Sequence, residues 1–258
     1  MRLDRFLSMN GFASRSGSKK IINQQRVKVN GVVTTVNDLQ ISGNDIITVD
    51  DIEVENIPYI TLILNKPEGY MCSMIDEKYP SVMHLIPENY QKRVRMVGRL
   101  DQDTTGLLIL TDNGVLNSRL ANPKYAVEKT YEVTVNHPLK QDLIEIFKVG
   151  NIDLGRDEFS STAKLEIHDD YHAALTIHEG KYHEVKRLFK RFDYEVVKLQ
   201  RVRFGPLNLG DIPLGQFRRI SEDEYQNLLD LTNLKKEEQL WQFVLNVEKK
   251  THQYFQIL

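Results

Sequence analysis

Cysteine is almost absent from this 258-residue chain. Cys72 stands alone, which excludes an intrachain disulfide and a cysteine-based metal cluster. No apolar run approaches the roughly 20 residues that a membrane-spanning helix needs. The opening MRLDRFLSMN lacks a signal-peptide core. There is no glycine-rich phosphate loop, no internal repeat and no low-complexity tract. These absences lead to the expectation of a cytoplasmic protein, with no membrane partner, no metal and no nucleotide or redox cofactor. A large excess of one charge is missing too. The 34 Lys and Arg against 36 Asp and Glu leave a net charge of −2, which, spread evenly, argues mildly against nucleic acid as a partner.

The charge is not spread evenly. Residues 1–31 carry seven basic side chains against Asp4 alone, and a second basic stretch runs from Lys181 to Arg203. Acidic residues gather elsewhere, at Asp50 to Glu55 and Glu222 to Glu224. Any single charge run can be a solvated face. Two separate basic segments on a mildly acidic chain favour localised binding of a polyanion.

The first ~50 residues read as a compact unit. Leu3, Phe6 and Leu7 recur at helical spacing. Ser16 is placed to cap a second helix carrying Lys19, Lys20, Ile21 and Ile22. Alternating Val27, Val29, Val32 and Val33 flank Asn30-Gly31. That pattern predicts a hairpin, because a tight type I′ turn needs two residues at positive φ. Another strand is expected at Ile46 to Val49. Acidic, proline-containing residues 50–58 then read as a linker.

Beyond it, strands are expected at Tyr59–Leu64, Leu107–Thr111, Thr130–Val135, Ala173–His178 and Val196–Gln200. Helices are expected at Gly114–Leu120, Gln141–Val149 and Glu184–Phe192, with a last helix behind the capping box of Ser221 and Glu224. Elements mixed without βαβ regularity predict an α+β fold with a largely antiparallel sheet. Leu228, Leu231, Leu234, Trp241 and Val244 suggest a further amphipathic helix packing on its own domain.

Gly98-Arg99-Leu100-Asp101-Gln102-Asp103-Thr104-Thr105-Gly106 is a polar loop feeding an apolar strand. An Asp beside an Arg at the mouth of a sheet can serve as a nucleophile whose anion is held by charge. Alone, such a pair is more often a surface ion pair. Glu128-Lys129-Thr130-Tyr131 reads by itself as a strand with a core or edge tyrosine. His178 through Phe189 reads as a strand end followed by a basic helix. His178 and His183 invite a metal reading, but no third ligand is suitably spaced, so His183 is expected to cap the helix or pack. Leu64-Asn65-Lys66-Pro67-Glu68-Gly69 reads as a strand and a turn, mostly structural.

Two resemblances sharpen this reading. LDRFLSMNGFASRSGSKKIINQQRVKVNG together with SGNDIITV resembles the S4 RNA-binding domain. That likeness implies that Arg15, Lys19, Lys20 and Arg26 meet RNA. GRLDQDTTGLLILTDNG, EKTY and HEGKYHEVKRLF, in this order, resemble the motifs of the pseudouridine synthases, closest to the RsuA-type branch acting on small-subunit ribosomal RNA. The likeness covers roughly residues 1–228. It implies Asp101 as the nucleophile, with Asp103 in a structural role such as loop bonding to Thr104 or Thr105. It also implies Tyr131 stacked on the flipped base, Lys186 paired with Asp101, Arg99 in the catalytic set and Arg187 touching phosphate.

The expected organisation is an S4-like domain at 1–52, a linker at 53–58, a pseudouridine synthase domain with a mixed, mainly antiparallel sheet at 59–230, and a helical extension at 231–258. The expected partner is ribosomal RNA or a partly assembled small subunit, met as a monomer. Three alternatives stay open: the same chemistry on large-subunit RNA, a catalytically inactive RNA-binding or assembly factor, and a hydrolase using Asp101 and Asp103 as an acid–base pair.

Overall fold

The computed structural model describes residues 2–10, 15–42, 45–54 and 59–234, with backbone only for Met9, Arg15 and Asn89. The chain divides between Tyr59 and Ile60 into two compact units. In the first, α1 (Leu3–Met9) and α2 (Arg15–Asn23) precede β1 (Val27–Val29), β2 (Val32–Val33), β3 (Ile47–Val49) and β4 (Ile52–Glu53). The strands form an antiparallel sheet in the order β2-β1-β3-β4. Leu3, Leu7, Ile22, Val27 and Ile47 make its core.

Asn30 and Gly31 take φ of 51° and 81° between β1 and β2, as the predicted tight turn requires. Two local expectations give way. Ser16 lies inside α2, which starts at Arg15, so it does not cap the helix. The acidic stretch is not linker from its start. Asp50 and Asp51 turn the chain at φ of 51° and 64°, Ile52–Glu53 pairs back on β3, and Val54 is buried in the core. Asp tolerates the left-handed region almost as Asn does, so two in a row can build a hairpin turn. Residues 55–58 lie outside the described part.

The second unit holds β5 (Thr61–Lys66), α3 (Glu88–Gln91), β6 (Arg95–Val97), β7 (Thr105–Thr111), α4 (Gly114–Ala121), β8 (Lys129–Val135), α5 (Leu143–Val149), β9 (Asp153–Gly155) and β10 (Glu158–Phe159). It continues with β11 (Lys164–Ile167), β12 (His172–Ile177), α6 (Glu184–Lys190), β13 (Val196–Phe204), β14 (Leu207–Asn208), β15 (Phe217–Arg219) and α7 (Glu222–Leu231). Nine strands share one sheet in the order β11-β12-β8-β13-β7-β5-β15, with β14 on β13 and β6 on β7. β13 and β7 run parallel through Gln200↔Thr105 and Arg201↔Gly106. The other ladders of this sheet are antiparallel, so the fold is α+β.

β5 and β7 are buried along nearly their whole length, which explains their unbroken apolar runs. β8 alternates and buries Tyr131, Val133 and Val135 on one face. Ser221 and Glu224 form the predicted reciprocal cap of α7. The amphipathic run beyond Leu228 does not continue as one helix. α7 ends at Leu231, and Asn233 takes φ of 55°. Trp241 and Val244 lie outside the described residues. No described helix is long and apolar enough to cross a membrane.

Candidate active site

A cleft of about 280 Å³ opens at the loop that feeds β7, near the lower end of small-molecule sites (~300 Å³). Arg99, Asp101, Lys129, Tyr131, His183, Lys186 and Arg201 line it. They come from the loop before β7, from β8, from the start of α6 and from β13. Only the folded sheet brings them together.

The loop that carries Asp101 is anchored from below. Lys66, at the end of β5, is fully buried. Its Nζ donates to the carbonyls of Thr104 (2.9 Å), Gln102 (3.2 Å) and Pro67 (3.2 Å). Burial lowers its pKa, and the three carbonyls compensate for water the ammonium has lost. The Thr104 amide closes a turn onto the Asp101 carbonyl at 3.1 Å. The Leu100 amide donates to the Cys72 sulfur at 3.3 Å. Lys66 therefore holds the loop, a role that its Lys-Pro turn did not disclose.

Two side chains flank the Asp101 carboxylate. Lys186 Nζ lies 3.4 Å from one oxygen and His183 Nε2 lies 3.3 Å from the other. The expected pairing of Lys186 with Asp101 is present, but the shorter bond of Lys186, 2.5 Å, goes to Asp103. Asp103 therefore does more than bond its own loop. Its partial burial acts to raise its pKa, and the Lys186 hydrogen bond and charge outweigh that, so its carboxyl sits below the usual carboxylate range. His183 does not cap α6 with its side chain. Its backbone takes φ of 49° and its ring stacks on Tyr182 at 3.9 Å with a 15° tilt. That arrangement turns the imidazole towards Asp101. His178 faces the Ala126 carbonyl at 3.4 Å instead, so the two histidines have separate neighbours.

Tyr131 and Arg201 are opposite one another on β8 and β13, both buried. Arg201 Nε donates to the Leu107 carbonyl at 2.7 Å, while one terminal nitrogen of its guanidinium has no hydrogen-bond partner among the described residues. Lys129 Nζ donates to Val127 and His178 carbonyls. Burial first, and the Arg201 charge second, lower the Lys129 pKa to about 8. Both cations lie over the Phe204 ring. The inner wall of the cleft is thus positive, which suits a polar or anionic guest. A lone arginine in a strand gave no signal of this in the sequence.

The remaining expected contacts separate into two groups. Arg99 is exposed at the rim of the cleft, and Lys19 and Lys20 are exposed on α2. Arg26 is paired with Asp50 through both oxygens. Arg187, expected at phosphate, is engaged within the protein. It donates to the carbonyls of Leu154, Gly155 and Tyr182 and to the Glu158 carboxylate, tying the β9–β10 hairpin to α6. The Arg15 side chain lies outside the described part.

A family model described as RNA pseudouridylate synthase matches residues 60–191, and an S4 domain model matches residues 1–47. Ribosomal small subunit pseudouridine synthase A of Haemophilus influenzae is 38% identical over 89% of this chain and 100% of its own length. Its Escherichia coli K12 counterpart is 33% identical over the same shares. Ribosomal large subunit pseudouridine synthase B of Bacillus subtilis is 32% identical over 90% of this chain and 97% of its own. A crystal structure of a pseudouridylate synthase superposes with a TM-score of 0.64 at 37% identity, covering 88% of this chain and 99% of that one.

Proposed function

The chain belongs to the RNA pseudouridylate synthase family, and from that premise we propose that it isomerises one uridine of small-subunit ribosomal RNA with Asp101 as nucleophile. The observation that carries this reading is the meeting of Asp101, Tyr131 and Lys186 from three separate elements in one nucleoside-sized cleft. The small-subunit relatives at 33–38% identity over nearly the whole chain support the choice of RNA.

In this reading the exposed Lys19 and Lys20 of α2 hold the RNA by its phosphates. The target uridine leaves its stack and enters the cleft. Tyr131 offers its ring to the base, replacing the lost stacking. Asp101 acts at the sugar, the N-glycosidic bond breaks, the uracil turns, and a bond forms from C5 to C1′. Lys186, 3.4 Å away, orients the carboxylate and balances its charge. Every residue lining the cleft comes from one compact unit of one chain, which fits action as a monomer. A ribosomal RNA substrate fits a cytoplasmic location.

The hydrolase alternative needs one carboxyl with a raised pKa to act as acid. Asp103, held by the Lys186 ammonium at 2.5 Å, has its pKa lowered and does not suit the part of the acid. The large-subunit alternative draws support from the Bacillus subtilis relative. One experiment separates these readings. Small- and large-subunit RNA transcripts are incubated with the protein and mapped chemically for pseudouridine. A single new site in small-subunit RNA, lost with Asp101→Asn while RNA binding persists, is expected. A site only in large-subunit RNA would change the substrate and keep the chemistry. Undiminished activity of Asp101→Asn would remove Asp101 as nucleophile.

A further inference from the structure

Making a C-linked isomer of uridine requires, besides the steps assigned to Asp101 and Lys186, a proton transfer at C5. When C5 bonds to C1′, C5 becomes tetrahedral and keeps its hydrogen, while N1 has lost the sugar and is doubly bonded to C6. The C5 proton must leave, its electron pair forming C5=C6, and the C6=N1 pair must return to N1, which takes up a proton. Nothing is oxidised or reduced. The acceptor has to stand near Asp101, because C5 is now attached to the carbon on which Asp101 has acted.

Among the described residues, two side chains lie within ion-pair range of Asp101: Lys186 at 3.4 Å and His183 at 3.3 Å. A lysine ammonium has no lone pair to offer, whereas a neutral imidazole has one. Imidazole also exchanges protons near neutral pH, as a group that must first accept and then give requires. The released Asp101 offers a carboxylate, a weaker base than imidazole. Tyr131 is given to the uracil base, Glu179 is paired with Lys181 and His178 faces the Ala126 carbonyl. Lys129 donates to two carbonyls, and the Glu184 carboxylate accepts the Lys181 amide.

We infer that His183 Nε2 accepts the C5 proton and delivers a proton to N1. This deepens the reading above and rests on Asp101 acting at the uridine sugar. Three features of the structure fit the task. The residue just before α6 has a left-handed backbone, φ 49°, a conformation that costs energy for a non-glycine residue and clusters at functional sites. Its side chain gives the helix no cap in return. The ring is held in plane by Tyr182, over which the Arg156 guanidinium lies at 5.0 Å. Finally, Asp101 is a free carboxylate again once C5 has bonded, and at 3.3 Å it stabilises the imidazolium as it forms.

The test uses the full-length protein and three versions of its RNA substrate, carrying uridine, uridine deuterated at C5, or 5-fluorouridine. Fluorine cannot leave as a proton, so the fluorinated base undergoes cleavage, rotation and C–C bonding without the step assigned to His183. His183→Asn is the variant of choice, since Asn tolerates positive φ. We expect it to slow pseudouridine formation by about 10²-fold or more, to reveal a primary deuterium isotope effect, and to rearrange 5-fluorouridine at the wild-type rate. His183→Gln gives the same three readouts should the Asn protein fail to fold. Wild-type turnover by the variant, equal slowing on uridine and 5-fluorouridine, or no isotope effect would each overturn the inference. Failure of the wild-type protein on unmodified uridine would overturn the underlying reading as well, and that outcome is separate from the other three.

Discussion

Gly106 meets the backbone of Arg201 so closely that a Cβ on it would lie 2.3 Å from the Arg201 carbonyl oxygen and 2.8 Å from its nitrogen. Its φ of 101° lies outside the range of L side chains. This is where β7 and β13 run parallel, and it sets the Asp101 loop beside the Arg201 wall of the cleft. Gly106→Ala is expected to cost on the order of 3 kcal/mol, combining backbone strain with overpacking. Gly69 also has positive φ but has open space where its Cβ would be, so Gly69→Ala should cost only about 1–2 kcal/mol. Urea unfolding of both variants checks this. Equal losses would show that the close approach to Arg201 is not what demands glycine.

Lys186 stands between two carboxylates, and they are not equivalent. Asp103→Asn removes the charge from the shorter contact and leaves Asp101 as the carboxylate facing Lys186, so turnover should stay within about tenfold of wild type. Lys186→Met takes the cation from both and should lower kcat by about 10²-fold or more, with little change in RNA affinity. Single-turnover rates with RNA in excess over its Kd measure this. An Asp103→Asn protein as inactive as Asp101→Asn would revive the paired-carboxylate reading.

Lys129 should leave a signature in the pH dependence of stability. Its pKa is about 8 in the folded protein and near 10.4 when unfolded. Between these values the unfolded chain binds more protons than the folded one, so stability rises with pH through that window. The burden of the buried ammonium is fully present below pH 8 and is relieved above it. Denaturation midpoints of wild type and Lys129→Met at pH 7 and pH 10 should therefore diverge, with the wild type gaining on the variant at the higher pH. Parallel curves would mean that Lys129 titrates like a solvated lysine.

Local chemistry made much of the fold legible. Asn30-Gly31 and the Ser221–Glu224 box declared a turn and a helix start because the groups that satisfy each backbone lie within a few residues. The same logic was available at Asp50-Asp51, where alternating Ile47, Val49 and Ile52 flank the pair, yet the acidic charge read as linker. Lys66, His183 and Arg201 were a different case. The groups that give Lys66 and Arg201 their roles are 36 to 94 residues away in sequence, and those of His183 belong to the Asp101 loop. No periodicity or spacing rule reports such partners.

Lys186 and Arg187 mark the boundary between the two kinds of knowledge. The sequence alone determined that both lie on a basic helix, that an Asp-bearing loop precedes a buried strand, and that these motifs follow in a family's order. The family likeness named Lys186 for the cleft, but residue spacing by itself did not separate it from Arg187. Neighbours on an α-helix point roughly 100° apart, so only one of them can face a given wall. The tertiary structure turned Lys186 towards Asp101 and Asp103 and gave Arg187 to the β9–β10 hairpin. A motif can name charges near a site. Whether a charge is spent inside the protein or left for a substrate depends on what packs against each face, and that exists only once the chain has folded.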